Sequence, residues 1–582
     1  MGNAEFELDG EYHWKFIAGI FAAFFMALGI GANDIANSFA SAVGSEALTL
    51  KQAVLISWIF EFAGAFFMGD RVVDTIREGI IDPELYLLRS PTEYDRHGAS
   101  LLMWGMFASL VMASSWIAFA TYHGMPISTT HSLLCSIIGF SLVVKGWDSV
   151  HWYGGDKESK IGGGGFTAIV VSWVLTPLMA GVLSAGFYSL TKRLLLCPEN
   201  SVQRTLLALP VYYGVTAFVV TFFIVYNGSG RLSLKNQGNG TATWIATSIG
   251  IAVALLARLV GVPMARRRLE IVVDANSQTT PVLSVFSKGA SKSNGVTAEA
   301  MAVSVDRGAP PFDGGASAAG TASEAGVTPC HAAERAPTWG RPVVPFNESC
   351  AGEVGQAGEG RTWEWIENWY STVEAKTIAH DLEFTERTRN IHKNAEVLDE
   401  QAEELFSFLQ ILTACASSFA HGSNDTANAI GPLSAIFNLY RGDAVHRRKD
   451  NPMHLEVSEV KVESWMLAMG GAALGLGFAL WGWRMVRSLG GGVTKMTPSR
   501  GFTAVLCAAL TVTLASGLAM PVSTTHTLVG STVGVGSTDG WGNVDRKLLG
   551  KFFIAWVMTV FVAGVCTMGF VALTVFSPNI KA

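Results

Sequence analysis

The chain has 582 residues, of which 49% are hydrophobic and only 15% are charged. A soluble protein carries about 25% charged residues, so this composition excludes an ordinary soluble domain and predicts a membrane protein. The net charge is −6 and no basic block is interleaved with aromatic residues, so nucleic acid is not expected as a partner. The seven cysteines form no Cys-x-x-Cys pair, so neither a zinc site nor a disulfide framework is predicted.

Long apolar segments recur along the chain. A spanning helix needs about 20 largely apolar residues, and twelve candidate segments begin near Trp14, Gln52, Leu101, Pro126, Phe166, Leu206, Trp244, Phe406, Trp465, Gly501, Val522 and Phe552. The segments from Pro126 and Val522 are short and rich in Ser, Thr and Gly. The sequence therefore predicts an all-α polytopic membrane protein with about twelve membrane segments, some of them broken or re-entrant.

Changes in composition divide the chain into five parts. Residues 1–12 are predicted to be an extracellular N-terminus, and residues 13–265 and 405–577 to be two membrane blocks. Residues 266–362 are rich in Ala, Gly, Ser and Pro, which predicts a disordered cytoplasmic linker. Residues 363–404 have aromatic residues near helical spacing, which predicts an amphipathic helical segment.

The orientation is predicted from charge. The run Arg266-Arg267-Arg268 follows the seventh segment, which places the linker in the cytoplasm and the N-terminus outside. Two glycosylation sequons, at Asn227 and Asn239, then lie outside, so a glycoprotein is expected. The basic run His446–Lys449 is at odds with this orientation because it would also lie outside.

Two unlike motifs each occur twice and in the same order. Residues 31–38 read Gly-Ala-Asn-Asp-Ile-Ala-Asn-Ser and residues 422–429 read Gly-Ser-Asn-Asp-Thr-Ala-Asn-Ala. Residues 125–133 read Met-Pro-Ile-Ser-Thr-Thr-His-Ser-Leu and residues 520–528 read Met-Pro-Val-Ser-Thr-Thr-His-Thr-Leu. The spacing from the first Asn to the Pro is 93 positions in one copy and 97 in the other. The chain is therefore an internal duplication, and the odd number of segments between the copies predicts an inverted repeat.

The Asn-Asp motifs are candidate ion sites. Inverted repeats place a substrate site near the membrane midplane, where carboxylates and amides are costly unless they bind something or face a polar cavity. Asp34 and Asp425 are predicted to bind the co-transported cation. Asn33, Asn37, Asn424 and Asn428 offer both donors and acceptors and are predicted to contact the substrate.

The Pro-x-Ser-Thr-Thr-His elements are candidate anion sites. A proline followed by hydroxyl residues is typical of a helix start, and a helix start directs free backbone N–H groups and a positive dipole toward an anion. The substrate is therefore predicted to contact six hydroxyl residues, Ser128, Thr129, Thr130, Ser523, Thr524 and Thr525. An anion beside the carboxylates requires a cation between them, which would couple the two.

Four further ionisable residues lie in or next to apolar segments or the repeated motifs. Glu61 lies inside an apolar run and is a candidate for the cation path, although a structural pair with another helix is an alternative. His131 and His526 are predicted either to relay protons or to pack at the helix starts. His421 has no polar counterpart in the first copy, where Ile30 holds its place, so no functional role is expected for it.

These motifs closely resemble those of the inorganic phosphate transporter family, which includes the sodium–phosphate symporters of animals and fungi. The similarity covers residues 12–265 and 400–577 and includes the run from Thr75 to Asp82. It implies phosphate as substrate, Na⁺ or H⁺ as driving ion and often a dimer, with Asp34 and Asp425 serving transport and Glu61, Ser128 and Ser523 near the site. Val505 stands where many relatives have glutamate, which leaves the number of bound cations open.

The predicted function is cation-coupled symport of inorganic phosphate, with Na⁺ favoured over H⁺ and no other cofactor. The alternative on the same scaffold is a transporter of sulfate or another oxyanion. A Ser-His-Asp membrane enzyme is disfavoured because the whole set is duplicated and there is no G-x-S-x-G elbow. A sensor that signals through the linker stays open. The protein is expected to reside in the cell surface membrane.

Overall fold

The computed structural model describes residues 6, 8, 12–69, 81–153, 165–227, 239–267, 269, 386–448, 451, 453–458, 460–517 and 522–577. Residues 1–259 and 352–582 form one compact unit, and residues 260–351 form a second one, of which only 260–267 and 269 are described. Ten helices in the described ranges are long and apolar enough to cross a membrane. The protein is a multi-pass, all-α membrane protein, as predicted.

In the first membrane block, the described residues form nine helices and one hairpin. Its elements are α1 (His13–Asp34), α2 (Ala36–Gly44), α3 (Leu50–Met68), α4 (Glu84–Leu87), β1 (Leu88–Ser90), β2 (Glu93–Tyr94), α5 (Arg96–Tyr122), α6 (Thr129–Lys145), α7 (Gly165–Thr191), α8 (Ser201–Asn227) and α9 (Asn239–Leu256). Short 3₁₀ and π turns span Trp147–Ser149, Lys192–Leu196 and Ala257–Gly261. Strand β1 pairs antiparallel with β2.

The second membrane block begins at Glu386 and also contains one hairpin among its described residues. Its elements are α10 (Glu386–Asn394), α11 (Glu400–Tyr440), β3 (Val445–Arg447), β4 (Leu455–Val457), α12 (Ser464–Gly477), α13 (Trp483–Gly490), α14 (Pro498–Gly517), α15 (Thr524–Ser537) and α16 (Arg546–Phe576). A π turn, Phe478–Gly482, joins α12 to α13, and Trp541–Asn543 is a 3₁₀ turn. Strand β3 pairs antiparallel with β4.

All twelve predicted segments are helical. Ten are long, and the two that were expected to be short, α6 and α15, have 17 and 14 residues. Each is only about 20–26 Å long at 1.5 Å per residue, which is less than the hydrocarbon core of about 30 Å. These two helices therefore do not cross a membrane by themselves.

The two ends of the bundle are distinguished by their contacts. At one end, here called the N-terminal face, Nδ1 of His13 lies 2.8 Å from the hydroxyl of Tyr440 at the end of α11. At the other end, here called the linker face, α11 begins at Glu400, and Asp399 accepts a 2.5 Å hydrogen bond from Ser201. The first block starts at the N-terminal face, whereas α11 of the second block starts at the linker face.

Each short helix forms a hairpin with the long helix before it. The start of α5 and the end of α6 both lie beside α4. A Cβ on Gly98 in α5 would meet the Tyr86 carbonyl, and Lys145 at the end of α6 lies over the Tyr86 ring. Helices α14 and α15 both have their outer ends at the linker face, where Arg500 pairs with Asp539. One hairpin thus returns to each face. This arrangement supports the inverted repeat, which stays a prediction.

Close helix approach brings α3 against α11. A Cβ on Gly422 would lie 2.3 Å from the Glu61 carbonyl oxygen, and a Cβ on Gly64 would lie 2.0 Å from the Phe419 carbonyl oxygen. Only glycine fits at such a crossing, and small residues at the interface are typical of membrane helix packing. The crossing places the side chain of Glu61 against α11.

Some predictions fall partly or wholly outside the described residues. These are the linker 266–362 apart from 266, 267 and 269, residues 363–385 of the amphipathic segment, the loop 228–238 between the sequons, and most of the Thr75–Asp82 run. Residues 386–404 form α10 and the start of α11.

Candidate functional site

Asp34, at the end of α1, accepts one hydroxyl from each copy of the Ser-Thr-Thr element. Thr129 donates to Oδ2 at 2.6 Å, and Thr525 donates to Oδ1 at 2.9 Å. The carboxylate is only 1% exposed. Hydroxyl donors compensate a carboxylate for part of the water it loses on burial. Both repeat copies therefore contribute to the environment of one carboxylate.

The two copies also exchange amide contacts. The Asn37 amide donates to the Thr525 hydroxyl at 2.9 Å, and the Asn428 amide donates to the Thr130 hydroxyl at 3.0 Å. Asn37 and Asn428 hold equivalent places in their motifs, and so do Thr130 and Thr525. Each amide oxygen is buried without a protein hydrogen-bond partner among the described residues. These oxygens are available to a cation or to water.

A histidine joins two carboxylates on the other side of the site. Nδ1 of His421 lies 2.8 Å from Oε2 of Glu61. Its Nε2 atom lies 2.9 Å from Oδ2 of Asp425, which is one helical turn further along α11. The angle at this contact is too poor for a hydrogen bond. Oε1 of Glu61 accepts from Ser418 at 2.8 Å. Both ring nitrogens face carboxylates, an arrangement that suits the doubly protonated imidazolium.

Asp34, His421 and Asp425 form one cluster. One ligand atom from each lies within 4.8 Å of the others, and all three residues are buried. Hard cations take carboxylate, carbonyl and hydroxyl oxygens as ligands, and Asp34 and Asp425 supply carboxylate oxygens here. The carboxylates predicted to bind the cation, Asp34 and Asp425, are thus brought together. Glu61 lies behind His421 and reaches the cluster through it.

A cavity of about 60 Å³ adjoins this cluster. A buried water needs roughly 10–15 Å³ of such space, so the cavity has room for about four waters or a small oxyanion. Three predicted substrate residues line it, Asn37, Asn424 and Thr524, and so does His421. The rest of its wall is largely apolar, with Ser38, Ser417 and Thr513 as additional hydroxyl groups.

Several predicted substrate residues have partners within the protein. The Asn33 amide donates to Thr121 at 2.9 Å and to the Met125 carbonyl at 3.2 Å, while its oxygen accepts from the Ile127 N–H at 3.1 Å. Asn33 therefore holds the turn before α6. Asn424 donates to Asp425 at 2.8 Å.

Ser128 and Ser523 are the N-caps of the two short helices. Their hydroxyl oxygens accept from the N–H groups of His131 at 3.2 Å and His526 at 3.3 Å. The helix starts expected from the sequence are present, but Pro126 lies two positions before the cap and not in the first turn. An N-cap satisfies one of the first N–H groups of a helix, and the others have no carbonyl within the helix.

His131 and His526 pack at the centre of the bundle. Their rings lie 5.2 Å apart, and Trp173 donates to Nε2 of His131 at 3.2 Å. The His526 ring lies 4.0 Å from that of Trp556. Of the two roles considered for these residues, the contacts favour packing at the helix starts.

Sequence reasoning missed His421, for which no role was expected. The signal was present, because His421 precedes Asp425 by four positions and so lies on the same helical face. The equivalent position in the first copy is Ile30, and a role for His421 is not expected if the two copies are symmetric. The copies differ locally, because α1 ends at Asp34 while α11 runs unbroken through Asn424 and Asp425.

Val505 lies in an apolar cluster with Ala508 and Leu528 and is 1% exposed. Ala508 and Leu528 also line the cavity. Val505 itself lies behind this apolar part of the wall, because it packs on two residues that line the cavity.

The helical bundle, the paired hairpins and the buried carboxylates together define a polytopic membrane protein of the transporter class. A model described as the phosphate transporter family matches residues 30–567, and the chain belongs to this family.

Relatives match over nearly their whole lengths. A phosphate-repressible phosphate permease, pho-4, of Neurospora crassa is 30% identical, covering 95% of this chain and 96% of the permease. Sodium-dependent phosphate transporter 2 of Felis catus is 31% identical, covering 98% and 99%. A solved structure described as the sodium-dependent phosphate transporter has the same fold, with a TM-score of 0.63 and 24% identity over 97% of this chain and 100% of that one.

Proposed function

We propose that this protein is a symporter that carries inorganic phosphate together with Na⁺. The observation that carries the proposal is the meeting of Asp34 and Asp425 beside two helix starts, which are rich in hydroxyl groups. A cation between the carboxylates and an oxyanion at the helix starts attract each other. Each therefore binds better when the other is present, and this reciprocity is the basis of coupling.

The donor set supports Na⁺ as the driving ion. The oxygens of Asp34, Asp425, Asn37 and Asn428 are hard ligands of the kind that alkali and alkaline-earth cations take. His421 offers the route by which a proton would replace Na⁺, because an imidazolium between Glu61 and Asp425 supplies a positive charge itself. Relatives named as sodium-dependent favour Na⁺.

The proposed substrate residues are those that reach the cavity and the helix starts. Asn37, Asn424 and Thr524 line the cavity, and Thr129, Thr130, Thr525 and Asn428 join the helix starts to the cation cluster. Ser128 and Ser523 fix the geometry of those starts, and Asn33 fixes the turn before α6. Phosphate is favoured over sulfate because the family and the reported relatives are named for phosphate.

Further properties follow from the same proposal. No chemical step on the substrate is required, so the protein is not an enzyme. The family resemblance adds a homodimer to the proposal, and the basic run at Arg266 and Arg267 supports a cytoplasmic side for the residues that follow it, in a protein of the cell surface membrane.

Uptake in liposomes tests the proposal. Purified protein is reconstituted, and entry of radiolabelled phosphate is measured with an inward Na⁺ gradient, with a pH gradient alone, and with excess unlabelled sulfate. We expect phosphate uptake that depends on the Na⁺ gradient and is not reduced by excess sulfate. Uptake driven only by protons would overturn the coupling ion, and competition by sulfate would overturn the substrate.

A further inference from the structure

A second, larger cleft of about 580 Å³ lies at the linker face. Its walls are α10, α13, the first turns of α16, and the turn Tyr122–Gly124 between α5 and α6. The volume lies in the range of about 300–1,000 Å³ that small-ligand sites occupy. None of its residues lines the cavity beside Asp34, so this is a separate site.

The charge of the cleft is strongly positive. Five cationic side chains line it, Arg387, Arg484, Arg487, Lys547 and Lys551, together with one carboxylate, Asp545. The whole chain carries more acidic than basic residues, 47 against 41, so this local excess of cations runs against the average. A concave surface lined by one sign of charge concentrates counter-ions of the other sign.

The single carboxylate of the cleft is already engaged. Oδ1 of Asp545 lies 3.2 Å from Nε of Arg387 and accepts from the N–H groups of Lys547 at 3.0 Å and Leu548 at 3.1 Å. These contacts tie Asp545 to Arg387 and to the first turn of α16. One carboxylate cannot offset five cations, so the cleft stays positive around Lys547 and Lys551, which lie one turn apart on the exposed side of α16.

Arg484 is held in place in the wall of the cleft. Its guanidinium donates to the Tyr122 carbonyl and lies over the rings of Tyr122 and Trp483 at 4.6 and 5.1 Å. An arginine held in this way keeps its other N–H groups in a fixed plane, which suits a phosphate oxygen.

We propose that this cleft binds the phosphate group of a small anionic ligand. Two sources share that chemistry: the headgroup of an anionic lipid, since the cleft lies at the ends of spanning helices, and a phosphate species free in solution. In either case Arg484 and the two lysines bind the anion. The bound group lies next to the turn that leads to α6, and so near one of the two short helices.

Binding to the full chain in nanodiscs tests the proposal. In one arm, radiolabelled pyrophosphate is titrated onto protein in zwitterionic lipid, without Na⁺ and in an Asp34→Asn background, so that the transport site does not contribute. In the other arm, phosphatidylglycerol retained by the purified protein is measured by native mass spectrometry.

The variant is Lys547→Gln/Lys551→Gln, and its matched control is Arg546→Gln/Lys393→Gln. The control removes two exposed charges from the same face but outside the cleft. Loss of two charge-assisted contacts is expected to weaken binding by about tenfold or more in at least one arm, with the control unchanged. A loss in the first arm identifies a soluble phosphate species as the ligand, and a loss in the second identifies the lipid.

Equal binding by variant and control in both arms would overturn the proposal. The two surface substitutions are expected to fold, and a thermal unfolding midpoint within about 2 °C of the parent checks this. A further variant, Lys547→Glu/Lys551→Glu, is expected to lose more affinity than the Gln pair, because it reverses the charge of the wall.

Discussion

Asn37 donates its amide to the hydroxyl of Thr525 in the other repeat copy at 2.9 Å, and the equivalent pair, Asn428 and Thr130, makes the reverse contact at 3.0 Å. Contacts that cross in both directions are what a two-fold relation between the copies produces. Each copy is thus incomplete without the other.

Removal of the Thr525 hydroxyl tests this crossing contact. Thr525→Val keeps the side-chain shape but deprives Asp34 of one donor and Asn37 of its acceptor. An unsatisfied buried group costs about 1–3 kcal/mol, so the Na⁺ concentration for half-maximal uptake should change by about tenfold or more. The control is Thr527→Val in the same helix, whose hydroxyl donates to the Ser523 carbonyl. Equal behaviour of the two variants would contradict the assignment.

His421 is expected to be essential because it separates two buried carboxylates. His421→Gln leaves Glu61 and Asp425 without a shared positive partner, and breaking a buried ion pair costs about 3–5 kcal/mol. Phosphate uptake should fall by more than about tenfold and the unfolding midpoint should drop. His446→Gln, at an exposed site in β3, should leave both unchanged. An active, stable His421→Gln would mean that His421 is only a packing residue.

The crossing of α3 and α11 is expected to tolerate no side chain at Gly422. A Cβ there would lie 2.3 Å from the Glu61 carbonyl oxygen, so Gly422→Ala must push the helices apart. We expect a lower unfolding midpoint in detergent and loss of uptake, because Glu61 moves away from His421. Gly569→Ala in α16, where an added Cβ meets nothing within 4 Å, is the matched control. A midpoint equal to that of the control would rule out this tight crossing.

The linker face depends on a buried arginine. Arg500 is 1% exposed and pairs with Asp539, which also accepts from Lys192 at 2.9 Å. Arg500→Met leaves Asp539 with one cation fewer. The free energy of unfolding should fall by about 3–5 kcal/mol, which is typical of a broken buried pair. Thermal unfolding measures it against Arg546→Met, an exposed arginine of the same face. A difference within error between the two would show that the pair contributes nothing.

Much of the fold could be predicted because its signals are local. Twelve apolar runs stand out against a low charge content, and α6 and α15 were marked as short by their Ser, Thr and Gly content. The duplicated motifs identified the residues that meet at Asp34. The contacts between the copies could not be predicted, since they depend on how the helices pack in three dimensions.

Two residues have surroundings that the sequence did not indicate, for physical reasons. His421 was discarded because the copies were compared position by position, whereas its partner Glu61 comes from α3 through a crossing that depends on Gly64 and Gly422. Asn33 was assigned to the substrate because an amide fits either role, and only the structure shows that the turn before α6 uses it.

The central claim is that Asp34 and Asp425 together hold the co-transported cation. Its most direct test is the simultaneous uptake of ²²Na⁺ and radiolabelled phosphate into proteoliposomes of the parent protein and of the Asp34→Asn and Asp425→Asn variants. Asp443→Asn, in the loop after α11 at the N-terminal face, is the control. We predict phosphate-stimulated Na⁺ uptake in the parent and the control and its loss in both site variants. Phosphate-stimulated Na⁺ entry that persists in either site variant would contradict the claim.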